Sequence, residues 1–461
     1  MKFGLIAFGN EESYGLLFVA GELLELGQEI RFFDAEESDV AEKVAGWKPD
    51  FICISPMTTF YRTARQLAQK IKAADSHVVS VFGGHHATSF PGIAEDEGVD
   101  AVVVGPVRGT IKRLLSGERG IIQSTPAAPA DLPRPARPAY YRDIPRMANR
   151  YRKVMISIMG CPWNCSYCSS STSHLQEIYG MDVHKKYFLS RRPIPAIIEE
   201  GKEILRLGKT AEIEWGDDDI FSGAEVNTWL PAFVDAWESE VGLPLYCQVT
   251  STYALKASDK LMSSLKRIVN CIGMGIQAIR PASLKLFNRG WDSEEKMKKA
   301  YDRLVSFGYN VNLQAIVGLP VDDPVEDAMD TIKGLQRIGP GSICSVYPLM
   351  VFPGTAIDKL CREKKLKLND LCTLDTNAGI PSIEFPELDV KRLRNICKLA
   401  TFFVKYNISE RWMRPMLDME LDNATSAALS MNKYYECVVD RLKGKGVEIF
   451  DQIQSSMKLR Y

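Results

Sequence analysis

Residues 154–171 read VMISIMGCPWNCSYCSSS. The first seven form an apolar run that predicts a buried strand. A loop containing Pro162 and Asn164 follows. On that loop stand Cys161, Cys165 and Cys168, in a Cys-x3-Cys-x2-Cys spacing. Three thiolates this close in sequence can converge on one metal centre, and soft sulfur ligands suit an iron–sulfur cluster. Three sulfurs on a four-iron cluster leave one iron open to a substrate or cofactor. A structural zinc site with nearby His174 as fourth ligand is the rival reading. Such sites ordinarily use paired Cys-x2-Cys knuckles, and only one such pair is present. Spacing favours the cluster and leaves zinc open. Three plain core cysteines are the weakest reading for a loop of this composition.

Outward from this stretch the chain alternates strand and helix. Downstream of VMISIMG, the segments AEIEWGDDD, PLYCQVTS, CIGMGIQ, NVNLQAIVGLP and ICSVYPLM read as strands. Between them, PIPAIIEEGKEILRLG, SDKLMSSLKRI, SEEKMKKAYDRLVSFG and PVEDAMDTIKGLQRIG carry apolar residues at helical spacing. Six βα units predict a partial or full βα barrel over 152–378. Barrel enzymes build their sites at the carboxyl ends of the strands, where the cysteine loop would stand. Upstream, KFGLIAF, EIRFFD, FICIS, VVSVFGG and AVVVG read as five strands, with GLLFVAGELLELG and FYRTARQLAQKIKAA as helices. This predicts an α/β, Rossmann-like doubly wound domain over 1–125, with ligands at the strand ends. Pro126, Pro129, Pro133, Pro135, Pro138 and Pro145 make 126–151 a stiff extended linker without helix. From 379 to 461 the pattern is helical, as in LDVKRLRNICKLATFFVKY and SAALSMNKYYECVVDRLKG, and predicts a small C-terminal domain.

Composition sets the outer bounds. The 461 residues correspond to about three domains of roughly 150 residues. With 46% hydrophobic and 25% charged residues, the chain reads as an ordinary globular protein. The net charge of -1, from 57 basic and 58 acidic residues, offers no global attraction to nucleic acid or anionic membrane. No apolar run reaches the length of a spanning helix, and the N-terminus reads as a first strand and not as a signal peptide. Eleven cysteines, an odd number without a secretion signal, argue against a disulfide scaffold and for the cytoplasm.

The motifs as a set resemble the radical S-adenosylmethionine enzymes. The three-cysteine loop, with Tyr167 before the last Cys, resembles their signature. WGDDDIF (215–221), GIQAIRPASLKLFNRG (275–290), AIVGLPVDDPVED (315–327) and YPLMVFPGT (347–355) resemble the family's later motifs, in order. The resemblance implies that the three cysteines ligate a 4Fe–4S cluster whose open iron chelates S-adenosylmethionine. Reductive cleavage would then give a 5′-deoxyadenosyl radical that abstracts hydrogen from an unactivated carbon. It also implies that Gly216 and Asp217 meet the methionine amino end. Gln277 would stand near the ribose, Ile316, Val317 and Gly318 would flank the adenine, and Tyr167 would lie against it through its backbone. The chain departs from the pattern at Ala278 and Ile279, and at Thr252, where many relatives carry Arg.

The first domain resembles the cobalamin-binding domain that precedes many of these enzymes. The matching pieces are PDFICISPMTT (49–59), FGGHHATSFP (82–91) and VDAVVVGP (99–106). Gly83 and Gly84 would let the backbone approach a bulky ligand, and Ser55, Thr58, Thr59 and Thr88 would bond its nucleotide tail. By the resemblance, His86 would lie near the corrin and Gly105 at the pocket edge. His85 has an idle surface position as its equal alternative. The loop FGNEESYG holds no His to serve as lower cobalt ligand, and Pro106 and Arg108 replace a usual acidic pair.

The activity expected is a cobalamin-dependent C-methyltransferase that methylates an unactivated carbon. Its two cofactors would face each other across the strand-end loops of the two domains. The alternative is a radical cyclase or rearrangement enzyme, with the same cofactors or with a degenerate cobalamin domain. A methylthiotransferase is excluded because residues 1–160 hold only Cys53 and no second cluster set. A peptide maturase with auxiliary clusters is disfavoured, since Cys344, Cys361, Cys372, Cys397 and Cys437 form no close pairs. A zinc-stabilised binding protein is the non-enzymatic rival. Expected partners are an electron donor of flavodoxin or ferredoxin type and a small-molecule, lipid or peptide or protein substrate, with a slight preference for the last. No nucleic-acid partner is expected. Tyr347 and Cys344 are candidates to relay a proton or electron, with plain core packing as the ordinary alternative for both. Arg411, Trp412, Arg414, Tyr434 and Tyr435 could line a pocket, against helix packing as the simpler reading.

Overall fold

A computed structural model describes residues 1–106, 108–125, 127–223, 225–373 and 379–421. The chain divides into two compact units. One is formed by Met1–Met159 with Ser173–Thr210, the other by Gly160–Thr172 with the chain from Ala211 on.

The first unit carries β1 (Lys2–Ala7), β2 (Glu29–Asp34), β3 (Phe51–Ile54), β4 (Val79–Phe82), β5 (Ala101–Val104), β6 (Gly120–Gln123) and β7 (Arg152–Met155). The first six pair in the order β2-β1-β3-β4-β5-β6, all parallel. This is the Rossmann-like doubly wound sheet expected from the sequence. Parallel strands are covered on both faces and so read as continuous apolar runs. Accordingly Phe3, Leu5, Ile52, Ile54, Phe82 and Val102 are all buried. Phe3 and Phe51 stack across β1 and β3 with ring centroids 4.6 Å apart. β6 is an addition to the five strands expected. It is four residues long, with Ile121 and Gln123 exposed, and leaves no strong pattern.

The proline-rich stretch corrects the sequence reading. It holds a short 3-10 turn at Pro129–Asp131 and two helices, Arg137–Asp143 and Pro145–Ala148. In both helices Pro occupies the first turn, where its missing N–H costs nothing. Tyr140, Tyr141, Ile144 and Met147 are buried in the core with Phe32. A side chain at Gly21 would collide with the Arg134 carbonyl, so this stretch lies directly on the helix Tyr14–Glu25. Apolar residues between the prolines, and not the prolines, decide its fate. The strand expected at 154–160 is also shorter and earlier, ending at Met155.

The second unit holds β8 (Glu212–Trp215), β9 (Leu245–Thr250), β10 (Val269–Gln277), β11 (Asn310–Val317) and β12 (Ile343–Pro348). They pair in sequence order, all parallel, as an open βα sheet and not a closed ring. The helices predicted between them form, and three open with side-chain caps. Ser258, Ser293 and Asp323 accept from Leu261, Lys296 and Glu326 backbone N–H groups. Of the predicted helical C-terminus, Glu387–Lys405 and Glu410–Leu417 are described. The first lies along β12, where Thr401 Oγ1 donates to the Cys344 carbonyl at 2.6 Å. The helix expected at 426–444, with Tyr434, Tyr435 and Cys437, lies outside the described residues. Among those residues no helix is long and apolar enough to cross a membrane.

Candidate functional site

The cysteine loop belongs to the second unit. Its base is closed by Cys161 N–H donating to the Ser170 carbonyl at 3.2 Å, and by Thr172 Oγ1 donating to the Cys161 carbonyl at 2.7 Å. A turn from Cys168 N–H to the Cys165 carbonyl, 3.2 Å, brings the last two cysteines round. The loop is pinned to the turn after the helix Pro281–Leu286. Ser166 bonds the Phe287 and Leu286 carbonyls, and Asn288 bonds the Asn164 carbonyl. Cys161 and Cys165 are buried and Cys168 half-buried.

Two different charges act on the cysteines. Burial first, and the Asp218 carboxylate second, push the Cys161 and Cys168 thiols up, Cys168 to about 12. The buried Arg289 guanidinium lies 3.7 Å from Cys165 Sγ. The Tyr167 ring meets Phe287 edge-on at 4.7 Å. Two buried N–H groups in this neighbourhood, Trp163 Nε1 and Arg289 Nε, find no hydrogen-bond partner. Among the described residues, no three His, Cys, Asp or Glu side chains stand close enough to share a single ion. A four-iron cluster instead spreads three cysteines over three irons. Three soft sulfurs, a fixed cation and orphaned N–H donors fit such a sulfur-rich anionic group.

The remaining predicted residues fall as follows. Gly216 is exposed beyond β8, but the Asp217 side chain turns inward and accepts from the Trp215 indole at 2.8 Å. The exposed carboxylate of this motif is that of Asp218. Asp219 accepts from both the backbone and hydroxyl of Thr250, each at 2.8 Å. Gln277 ends β10 at a register shift and holds a positive φ of 67°, a strained conformation for a side chain of this size. Of the β11 residues, Ile316 is half-buried, whereas Val317 and Gly318 are buried. Thr252 accepts from Lys296 Nζ at 2.6 Å, so a cation reaches the position where the sequence lacks Arg. Cys344 is core. Tyr347 is not, with 54% exposure. Trp412 is exposed, and Arg414 is tied up with Glu326 and Glu410.

One face of the second sheet escaped the sequence reading. A covered parallel sheet is apolar on both faces, yet Gln248, Asn312, Gln314 and Ser345 share one face here and are only half-buried. The Tyr246 hydroxyl accepts from Asn312 at 3.1 Å and Gln314 at 3.1 Å. Asn312 also donates to Ser345 at 3.1 Å. A side chain at Gly273 would collide with Gln248 and Tyr246, so glycine keeps the row open. The alternation Asn-Val-Asn-Leu-Gln in β11 was the available signal.

In the first unit, the predicted cobalamin residues gather at the carboxyl ends of β3, β4 and β5. Gly84 has φ +81°, and a Cβ there would run into Ser55 Oγ. Gly105 has φ +93°, and its N–H donates to Thr88 Oγ1 at 3.0 Å. A Cβ at Gly105 would strike the Tyr179 hydroxyl at 2.5 Å, a neighbour that no motif announced. Thr58 is engaged by His86 Nδ1 at 3.2 Å, so its hydroxyl is not idle. His86 is buried between the Tyr61 and Phe90 rings, and its Nε2 finds no partner. His85 is exposed, and Gly83 and Thr59 are partly exposed. Glycine cradles and an orphaned buried nitrogen at three adjacent strand ends fit a bulky planar ligand with polar edges.

Comparison with known proteins agrees with both halves. Residues 7–115 match the B12 binding domain, and residues 155–335 match the radical SAM superfamily. An uncharacterized methyltransferase of Pyrococcus horikoshii is 23% identical over 353 residues, 70% of this chain and 73% of that protein. The hopanoid C-3 methylase of Methylococcus capsulatus is 25% identical over 188 residues, 35% of this chain and 36% of that one. Among solved structures, the cobalamin-dependent S-adenosylmethionine radical enzyme OxsB, with aqua-cobalamin and S-adenosylmethionine bound, aligns with a TM-score of 0.66 at 12% identity, covering 96% of this chain and 72% of that one. The radical S-adenosylmethionine methyltransferase TsrM of Kitasatospora setae, with tryptophan and an S-adenosylmethionine analogue bound, aligns at 0.61 and 14% identity, covering 80% and 77%. These two share the fold. The chain thus joins a match to the B12 binding domain with a match to the radical SAM superfamily, in that order along the sequence.

Proposed function

We propose that this protein is a cobalamin-dependent methyltransferase acting on an unactivated carbon of a polar substrate, with a peptide or protein side chain as the first class to try. The observation that carries the reading is the cysteine loop, three sulfurs on one short loop with Cys165 held against a buried guanidinium. When bound, the cluster and S-adenosylmethionine would supply the radical and cobalamin the methyl group. The chain's own residues do the holding. Cys161, Cys165 and Cys168 would ligate the cluster. Gly216, Asp217, Gln277, Ile316, Val317, Gly318 and Tyr167 remain our assignment for S-adenosylmethionine, with Asp217 limited to its backbone and Lys296 added as a cation for the carboxylate. Ser55, Thr58, Thr59, Gly83, Gly84, His86, Thr88 and Gly105 remain our assignment for cobalamin. We keep 1–125, 126–151, 152–378 and 379–461 as the functional divisions.

The polar row of Tyr246, Gln248, Asn312, Gln314 and Ser345 favours a substrate that exchanges hydrogen bonds over a hydrocarbon. Carboxamides and hydroxyls facing an apolar ligand would lose their water without replacement.

The test is anaerobic reconstitution with iron, sulfide and hydroxocobalamin, followed by transfer of labelled methyl from S-adenosylmethionine to a peptide library. The expected result is one four-iron cluster and one cobalamin per chain, with label on carbon. Zinc without sulfide would overturn the reading. Cluster without cobalamin would redirect it to cyclisation or rearrangement.

A further inference from the structure

We propose that Arg289 is a positioning residue that raises the reduction potential of the cluster held by the cysteine loop, acting through Cys165. This rests on the cluster assignment made above.

Arg289 is 2% exposed. A guanidinium stays charged at any working pH, so its charge is a permanent feature of the loop's surroundings. It is held from several sides. Nη1 faces Cys165 Sγ at 3.7 Å. Nη2 donates to the Gly275 carbonyl in β10 at 2.8 Å and to Asp292 at 3.1 Å. Asp292 in turn accepts from the Ser251 hydroxyl at 2.8 Å. The guanidinium also lies over the Trp291 ring, 4.6 Å from its centroid. Trp291 stacks on Trp163 of the cysteine loop at 4.3 Å. With these anchors the cation cannot swing away from the sulfur.

The three cysteines are therefore not equivalent. Cys165 meets a fixed cation at 3.7 Å from its sulfur. One-electron reduction adds negative charge that spreads onto the sulfurs. A buried cation and hydrogen bonds to sulfur favour the reduced form, and a nearby carboxylate disfavours it. The electron comes from a low-potential one-electron donor, and no bond or proton need move. Arg289 thus makes that uptake easier.

The experiment is a redox titration of the reconstituted full-length protein, poised with dithionite and mediators and followed by electron paramagnetic resonance. Iron and sulfide are counted for each variant. Arg289→Gln should shift the midpoint to lower potential, and Arg289→Lys should restore most of the shift. Asp292→Asn, which takes away the carboxylate paired with the guanidinium at 3.1 Å, should move it the other way. If Arg289→Gln fails to retain iron, the Asp292→Asn shift decides. A wild-type midpoint in Arg289→Gln, or in Asp292→Asn where that variant decides, would overturn the proposal. A wild-type protein that takes up no four-iron cluster would instead overturn the functional reading beneath it.

Discussion

His86 shows what a single side chain contributes. Burial between Tyr61 and Phe90 lowers its pKa from the ordinary 6.5 to about 4, partly offset by Asp96. The folded protein then binds fewer protons than the unfolded chain between those values. Stability from this group is complete above pH 6.5 and is lost as pH falls towards 4. The size is on the order of 3 kcal/mol. Thermal unfolding of wild type and His86→Gln from pH 7 to pH 4 should show a steeper fall for wild type. Parallel curves would remove His86 from the account. The sequence placed His86 at the strand-end loop but gave no sign of the Tyr61 and Phe90 rings around it. Arg289 was likewise visible inside a motif, yet its partner Cys165 is 124 residues away. Distances through space between remote residues leave no local pattern.

At the scale of elements, the first unit is tied by a buried ionic knot. Arg137, in a proline-led helix, pairs with Glu200 in the helix Ile194–Leu207 and with Glu12 in the loop after β1. Arg192 bonds Glu200 at 2.8 Å, Tyr14 donates to it at 3.0 Å, and Tyr141 donates to Glu12. Arg137 and Glu200 side chains are essentially inaccessible. Removing one charge from such a set leaves the others without compensation in a poorly solvated place. Glu200→Gln should cost about 3–5 kcal/mol, read as a drop in the urea midpoint of the full-length protein. An unchanged midpoint would mean that water relieves the knot. The period-2 and period-3.6 patterns foretold most strands and helices here. They could not foretell that prolines would open helices, or that Glu200 would close a core begun at Glu12.

At the scale of the molecule, the two candidate cofactor sites lie in different compact units, built on different sheets. Loss of one should therefore spare the other. A variant with Cys161, Cys165 and Cys168 all changed to Ala should lose iron and sulfide and keep cobalamin. Gly84→Ala, which puts a methyl into Ser55 at positive φ, should weaken cobalamin retention and keep iron. Metal analysis and the corrin absorption bands read both. Joint loss in either variant would argue against separate sites. The two-sheet architecture was legible because parallel strands write apolar runs into the sequence. The polar row on β9–β12 was less so, because a half-buried Asn or Gln looks like any surface residue until its neighbours are known.

The path of the chain has a consequence for biosynthesis. The first unit is finished only by Ser173–Thr210, after the cysteine loop has already been made. A ribosome releases Glu12 and Arg137 long before Glu200 and Arg192 emerge. Until then the nascent chain holds a half-assembled charge set, and the cysteines wait ahead of the sheet that will receive them. A fragment ending at the proline-rich stretch would stop at that stage, whereas one extended through Thr210 would carry every charge of the knot.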